Sequence, residues 1–311
     1  LYSKLVLGRI ALLCKADLTT GVVGEFPKLQ GVMGGIYGRI GGETEEVCLG
    51  ICEHYLPIQS GGALPASVAG AIVSIADKTD TIAGCFGVGL IPTGAQDPYA
   101  LRRQALGIIA IIIDKGFRIS LDGLIDKALG LLEKRLTRKK EDVKKDVLEF
   151  FRDRLKFMLL SEGISFDSIE AVLSTNWHDM IDAVKRIRAI EGFKKHPDYA
   201  GLTIAFKRVS NILKGIEASG RPPLEALFKE PREMALFEVT KRLGPAIESH
   251  RKNGDYEKVF SSLASIKDVI DAFFDKVLVM TDDRELRANR LALVNSVKNL
   301  YFTTADLSRL A

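Results

Sequence analysis

The sequence predicts an all-α fold. Apolar residues recur at the three- and four-residue intervals of amphipathic helices, strand-type alternation is scarce, and Gly and Pro clusters separate stretches of helix length. Neither an internal repeat of solenoid period nor a low-complexity tract breaks that pattern. With 311 residues, 47% of them hydrophobic, the chain is long enough to bury cores in two domains of ordinary size. Changes of style divide it into residues 1–96, 97–200 and 201–311.

The first region is rich in loops and holds eight glycines between Gly21 and Gly42. At Asp97 the style changes: Asp97 suits an N-cap, Pro98 suits the first helical position, and Ala100, Leu101, Ala105, Ile108, Ile109 and Ile112 supply a buried stripe. Gly116 is expected to end that helix. Residues 134–156 read as a long charged helix, with ten basic and five acidic residues around an inner stripe of Val143, Val147, Phe150 and Phe151. Those charges suit an electrostatic surface, though a solvated face whose members pair locally at i, i+4 is the plainer reading.

From Leu202 the periodicity is clean. Leu202, Ala205, Phe206, Val209, Ile212, Leu213 and Ile216 fall on one side of a helix, and Lys207, Asn211 and Lys214 fall on the other, with Arg208 at the margin. Arg221-Pro222-Pro223 and Gly244-Pro245 predict two interruptions. A last helix is expected to start near Thr281 or Asp282, where Asp282 and Glu285 have capping-box spacing. Its core stripe is Leu286, Leu293, Val297 and Leu300, which leaves Arg284, Arg287, Asn295 and Lys298 outward. Two helices therefore offer cationic faces with amide side chains among them.

The net charge of +4 says little by itself, but the uneven placement of the basic residues is what a polyanionic partner requires. Cys14, Cys48, Cys52 and Cys85 lie in apolar surroundings without a paired CxxC framework, which fits reduced thiols in a cytoplasmic protein rather than a metal site. The longest apolar run, 105–113, is too short for a bilayer span, and Lys4 and Arg9 interrupt 1–13, so neither a membrane segment nor a signal peptide is expected. Gly89-Leu90-Ile91-Pro92-Thr93-Gly94 lacks the lysine and hydroxyl of a phosphate loop, and Gly87-Val88-Gly89 lacks the third glycine of a dinucleotide fingerprint. The adenylate-forming signature strings of aminoacyl-tRNA synthetases are missing as well.

Five motifs in fixed order carry a family resemblance: Glu25-Phe26-Pro27-Lys28-Leu29-Gln30-Gly31-Val32-Met33-Gly34, Glu53-His54-Tyr55-Leu56-Pro57, Ala76-Asp77-Lys78-Thr79-Asp80-Thr81, Pro92-Thr93-Gly94 and Asp97-Pro98-Tyr99-Ala100-Leu101-Arg102-Arg103. Together they resemble the β subunit of the bacterial two-subunit glycyl-tRNA synthetase, from about residue 1 to the end. Those subunits are longer, so the resemblance implies a C-terminal portion. It further implies a β-subunit part of a glycine-tRNA ligase that binds and positions tRNA(Gly), by its anticodon and its acceptor arm, for ATP-dependent glycylation with the α subunit. ATP and Mg then belong to the α-subunit active site and no cofactor to this chain; DNA and membranes are not expected partners.

Residues 1–96 distantly resemble a degenerate HD-like helical domain. Asp17 stands for the aspartate of that motif, with Ala16 where its histidine belongs, and only four histidines occur in the whole chain. Asp17, His54, Asp77 and Asp80 form the expected remnant pocket, without a metal, and could hydrogen-bond the acceptor arm; capping and local ion pairing is the plainer reading. The alternative of another class is an HD-type metal-dependent phosphohydrolase of nucleotides, which needs several imidazoles and carboxylates around one ion. A module of pure assembly is a third. Residues 201–311 resemble a DALR-type anticodon-binding helical bundle, on 206–214 and 287–293, with 97–200 as connecting helices. The resemblance implies tRNA contacts by Lys207, Arg208, Asn211, Lys214, Arg287, Asn289, Arg290 and Lys298, where Asn and Arg read unstacked bases and Lys and Arg meet phosphates. Asn289 and Arg290, at the edge of the apolar stripe, could instead fix helix packing by hydrogen bonds.

Overall fold

The computed structural model describes residues 4–216 and 221–310; Leu1, at the head of the first apolar run, lies outside them. All named elements among these residues are helical, and extended pairing is limited to one isolated bridge between Thr93 and Gln96. The all-α expectation is met. Two compact units divide the chain, Leu1–Met158 and Leu159–Ala311, whereas the changes of style in the sequence fall at 96/97 and 200/201.

The first unit holds α1 (Lys4–Leu13), α2 (Gly21–Glu25), α3 (Val32–Ile40), α4 (Glu45–Glu53), α5 (Val68–Gly87), α6 (Leu101–Lys115), α7 (Leu121–Leu132) and most of α8 (Lys140–Ser161). Helix α5 packs on α1, α4, α6 and α7. Ser67 caps it by accepting from the Gly70 amide at 2.9 Å, and the buried Glu53 carboxylate draws in the amides of Ala66 (2.8 Å) and Ser67 (3.0 Å). A carboxylate at the end of α4 thus fixes the start of α5. Helix α3 meets α4 through Gly34, Gly35 and Gly38; a Cβ on Gly35 would stand 2.9 Å from the Cys48 carbonyl oxygen, so only glycine permits this approach.

Helix α6 starts at Leu101, three residues later than Pro98 would place it. Asp97 does cap it, but from across a turn: its carboxylate accepts from the amides of Leu101 (2.8 Å) and Arg102 (3.0 Å) while Ala100 adopts a left-handed φ of 53°. Gly116 ends the helix in a left-handed C-cap as expected. After a 3-10 turn at Glu133–Arg135 the charged segment is α-helical only from Lys140, because Thr137 and Arg138 are drawn to the carbonyls of Gly87 and Phe86. Charges of α8 pair across to α7, Lys144 with Asp122 at 3.0 Å and Lys140 with Asp126 at 3.0 Å.

The second unit contains α9 (Phe166–Leu173), α10 (Met180–Phe193), α11 (Tyr199–Ile212), α12 (Pro231–Asn253), α13 (Tyr256–Ala264), α14 (Lys267–Lys276) and α15 (Arg284–Phe302). Phe206, Phe260, Phe273 and Tyr301 are fully buried at its centre. Phe206 of α11 packs on Tyr301 of α15 with ring centroids 4.2 Å apart, and Ser210 lies within hydrogen-bond distance of the Tyr301 hydroxyl. The interruption expected at Gly244-Pro245 does not occur. Helix α12 runs through Pro245, losing the bond to the Lys241 carbonyl, since Leu236 and Ile247 are buried on both sides of it and packing outweighs the lost rung. Asp283, not Asp282, caps α15 by accepting from Glu285 and Leu286, so Glu285 stands too early to close a capping box. A capping box closes instead at the start of α12, between Glu230 and Glu233.

Candidate nucleic-acid interface

Helix α11 separates its two faces cleanly. Leu202, Ala205, Phe206 and Val209 are buried, whereas Lys207 and Asn211 are exposed and Lys214 is exposed in the turn that follows. Arg208, at the margin, is held: its guanidinium lies 4.9 Å from the Phe274 ring centroid and pairs with Asp271 (3.4 Å) and Asp275 (3.3 Å) of α14. On α15, Arg287 is half-buried, and Lys298 rests its ammonium 4.7 Å from the ring centroid of Phe302.

Asn289 and Arg290 are buried, and the packing reading is the one that holds for both. The Asn289 side chain grips one residue of the preceding connection at both ends: Oδ1 accepts from the Leu224 amide at 2.7 Å, and Nδ2 donates to the Leu224 carbonyl at 3.0 Å. Arg290 donates through Nε to Glu233 Oε1 at 2.8 Å and through Nη1 to the Leu278 carbonyl at 2.9 Å. Glu233 is fully buried and also accepts from the amides of Lys229 and Glu230, both at 2.7 Å. Burial pushes the Glu233 carboxyl up, yet Arg290 and those amides outweigh burial and hold it below the usual carboxylate range. Neither residue offers a free edge to a base.

Two features of this unit escaped sequence reasoning. Leu224, Leu278 and Met280, in connections tied to Asn289 and Arg290 or close by, are exposed and provide an apolar surface suited to unstacked bases. Their irregular backbone has no periodicity by which to read them. Lys185 and Arg188 of α10, with Tyr256 and Lys258 of α13, line a cleft of about 360 Å³. Two cations of one helix meet a third from another, and that pairing carries no local motif.

In the first unit the four expected pocket residues do not share one cavity. Asp17 is buried, accepts from the amides of Gly31 (2.6 Å) and Gly34 (3.1 Å), and borders a cleft of about 410 Å³ with Arg9, Tyr37 and Glu43. His54 is fully buried, with Nδ1 2.6 Å from the Ile51 carbonyl oxygen, and burial lowers its pKa. Asp77 pairs with Lys15 at the edge of a second cleft of about 240 Å³, while Asp80 points to solvent. Among the described residues no three His, Cys, Asp or Glu side chains converge as metal donors. The donor set a phosphohydrolase centre needs is therefore lacking there.

The second cleft does bring the motifs together. Lys78, buried, donates to the carbonyls of His54 (3.1 Å), Tyr55 (3.3 Å) and Leu56 (3.0 Å) and to Ser74 Oγ (2.7 Å), and Pro57 packs against Gly107 of α6. Desolvation lowers the Lys78 pKa to about 8, so it remains mostly charged at neutral pH amid its four acceptors. Lys15, Arg103, Gln30, Gln104 and Tyr55 also line this cleft, with Ile58 and Thr81, which gives it more cations than anions and two amide groups.

Comparison with known proteins gives the family. A family model described as glycyl-tRNA synthetase beta subunit matches residues 3–174, and one described as DALR anticodon binding domain matches residues 202–307. Glycine-tRNA ligase beta subunits resemble the chain throughout. That of Geobacter metallireducens is 48% identical over 309 residues, covering 99% of this chain and 44% of the relative. That of Trichlorobacter lovleyi is 49% identical over 304 residues, covering 97% and 44%. That of Geobacter sulfurreducens is 52% identical over 274 residues, covering 88% and 39%. The chain thus spans less than half the length of these relatives. With more than half of its residues matching the first model, the chain belongs to the glycyl-tRNA synthetase beta subunit family.

Proposed function

We propose that this chain is the tRNA-gripping part of a glycine-tRNA ligase β subunit, holding tRNA(Gly) while a separate α subunit joins glycine to the terminal ribose with ATP and Mg. The observation that carries this reading is the α11 face: Lys207 and Asn211 exposed on a helix with a buried opposite side, Lys214 just beyond it, all within the region matching an anticodon-binding domain. Exposed lysines neutralise phosphates of the anticodon loop, and the free amide of Asn211 reads a base edge. Arg287 and the exposed Leu278 and Met280 extend the contact with charge and apolar surface. The cationic cleft around Lys15 and Arg103 takes backbone phosphates of the acceptor arm. Binding energy collected away from the reacting atoms goes into orientation, which lowers the entropy cost of presenting the ribose hydroxyl. On this reading the protein works in the cytoplasm.

Electrophoretic binding of tRNA(Gly) across a salt series tests it. Affinity should fall steeply with salt, and Lys207→Ala with Lys214→Ala should reduce the log-log slope by about two while weakening all tRNAs alike. Asn211→Ala should instead cost roughly 1–3 kcal/mol of discrimination against a tRNA with an altered anticodon. Unchanged slope and unchanged discrimination would remove α11 from the interface.

A further inference from the structure

Helix α3 is buried on an unexpected side. Its glycine face, Gly34, Gly35 and Gly38, lies against α4, while Val32, Ile36 and Ile40, spaced i, i+4, i+8, are 50%, 41% and 78% exposed. The glycine contact fixes this orientation: a Cβ at Gly35 would stand 2.2 Å from Cys52 Sγ and 2.9 Å from the Cys48 carbonyl oxygen, so no side-chain-bearing face can replace it. Phe26 and Leu29, just before the helix, are exposed as well, at 55% and 37%. A helix apolar on both sides is the pattern of an element buried on both sides, and a continuous apolar stripe on a surface marks a contact.

We propose that this stripe is an interdomain seat, covered in a family-length polypeptide by the portion of the β subunit outside the region represented here. The occupant follows from the lengths. Relatives that match this chain over 97% to 99% of its residues have only 44% of their own length in the match, so more than half of each lies elsewhere. A partner of the same polypeptide is present at high effective concentration, so a seat of modest area suffices to hold it. The contact is apolar, without obligatory charge pairing, and is independent of any contact with RNA.

Carbene footprinting, which labels accessible side chains, tests the assignment. Labelling at Val32, Ile36 and Ile40 is compared between this 311-residue chain and the corresponding positions of the complete Geobacter metallireducens β subunit, with and without its α subunit. Strong labelling here and several-fold protection in the complete β subunit alone is the expected result. Equal labelling in the complete β subunit overturns the proposal. Protection that appears only on adding the α subunit assigns the seat to that partner and overturns it too. So does protection in the 311-residue chain that grows with concentration, which would make a second copy the occupant. Serine at the two positions of the complete subunit that correspond to Ile36 and Ile40 should restore labelling at the position corresponding to Val32 while leaving its circular dichroism unchanged.

Discussion

Replacing Arg290 by Met leaves the Glu233 carboxylate buried with its main partner gone, the costly half of breaking an internal ion pair. A loss of roughly 3–5 kcal/mol is expected, measured by urea unfolding followed through Trp177, the single tryptophan, which is buried in the second unit. Adding Glu233→Leu should recover part of it, and a variant as stable as wild type would show that the pair contributes nothing. At Lys78 the dependence is on pH. Folded Lys78 releases its proton near pH 8 and the unfolded side chain near 10.5, so between those values the unfolded chain binds more protons and stability rises with pH. Lys78→Met removes that gain, and the difference in thermal midpoint, wild type minus variant, should grow from pH 8 to pH 10; a constant difference would contradict it. Lys207, on the face opposite the α11 stripe, is exposed as local spacing predicts, whereas Arg290, at the edge of a stripe, is open to either reading in the sequence, and only Glu233, 57 residues earlier, decides that its side chain turns inward.

Glycines of the first unit set the spacing of its helices, and they are not equivalent. Gly35→Ala forces a methyl into the Cys48 backbone and should cost roughly 1–3 kcal/mol, whereas Gly8→Ala on α1 meets nothing within 4 Å and should stabilise by about 0.5–1 kcal/mol. Thermal midpoints by circular dichroism separate the two, and shifts of the same sign would refute the packing account. Elements whose boundaries depend on nearby residues were legible: the α11 stripe, the Gly116 stop and the core side of α15 all follow from local spacing. Those governed by distant contacts were not. Pro245 is carried inside α12 by packing on both flanks, and the start of α8 is delayed because the carbonyls of Phe86 and Gly87 capture the preceding turn.

For the whole molecule, the family was readable because its motifs are short strings in fixed order, and the structure gives one physical reason for their joint presence. The Glu53–Pro57 string supplies carbonyls, the Ala76–Thr81 string supplies the ammonium that collects them, and the helix after Asp97 closes on Pro57. The expected pocket is not one cavity: Asp17 and Asp77 border different clefts, His54 is fully buried and Asp80 faces solvent, an arrangement set by packing rather than by local spacing. A net charge of only +4 also conceals where binding should occur, because local pairs such as Lys144 with Asp122 cancel much of the charge outside the α11 face. Lys78 has a chemical consequence of its own. Near pH 8 about half of its amine is free while ordinary lysines remain ammonium, yet it is shut away from reagents. Acylation at that one nitrogen can therefore proceed only when the segment above α5 lifts, which makes its modification rate a clock for the opening of the first unit.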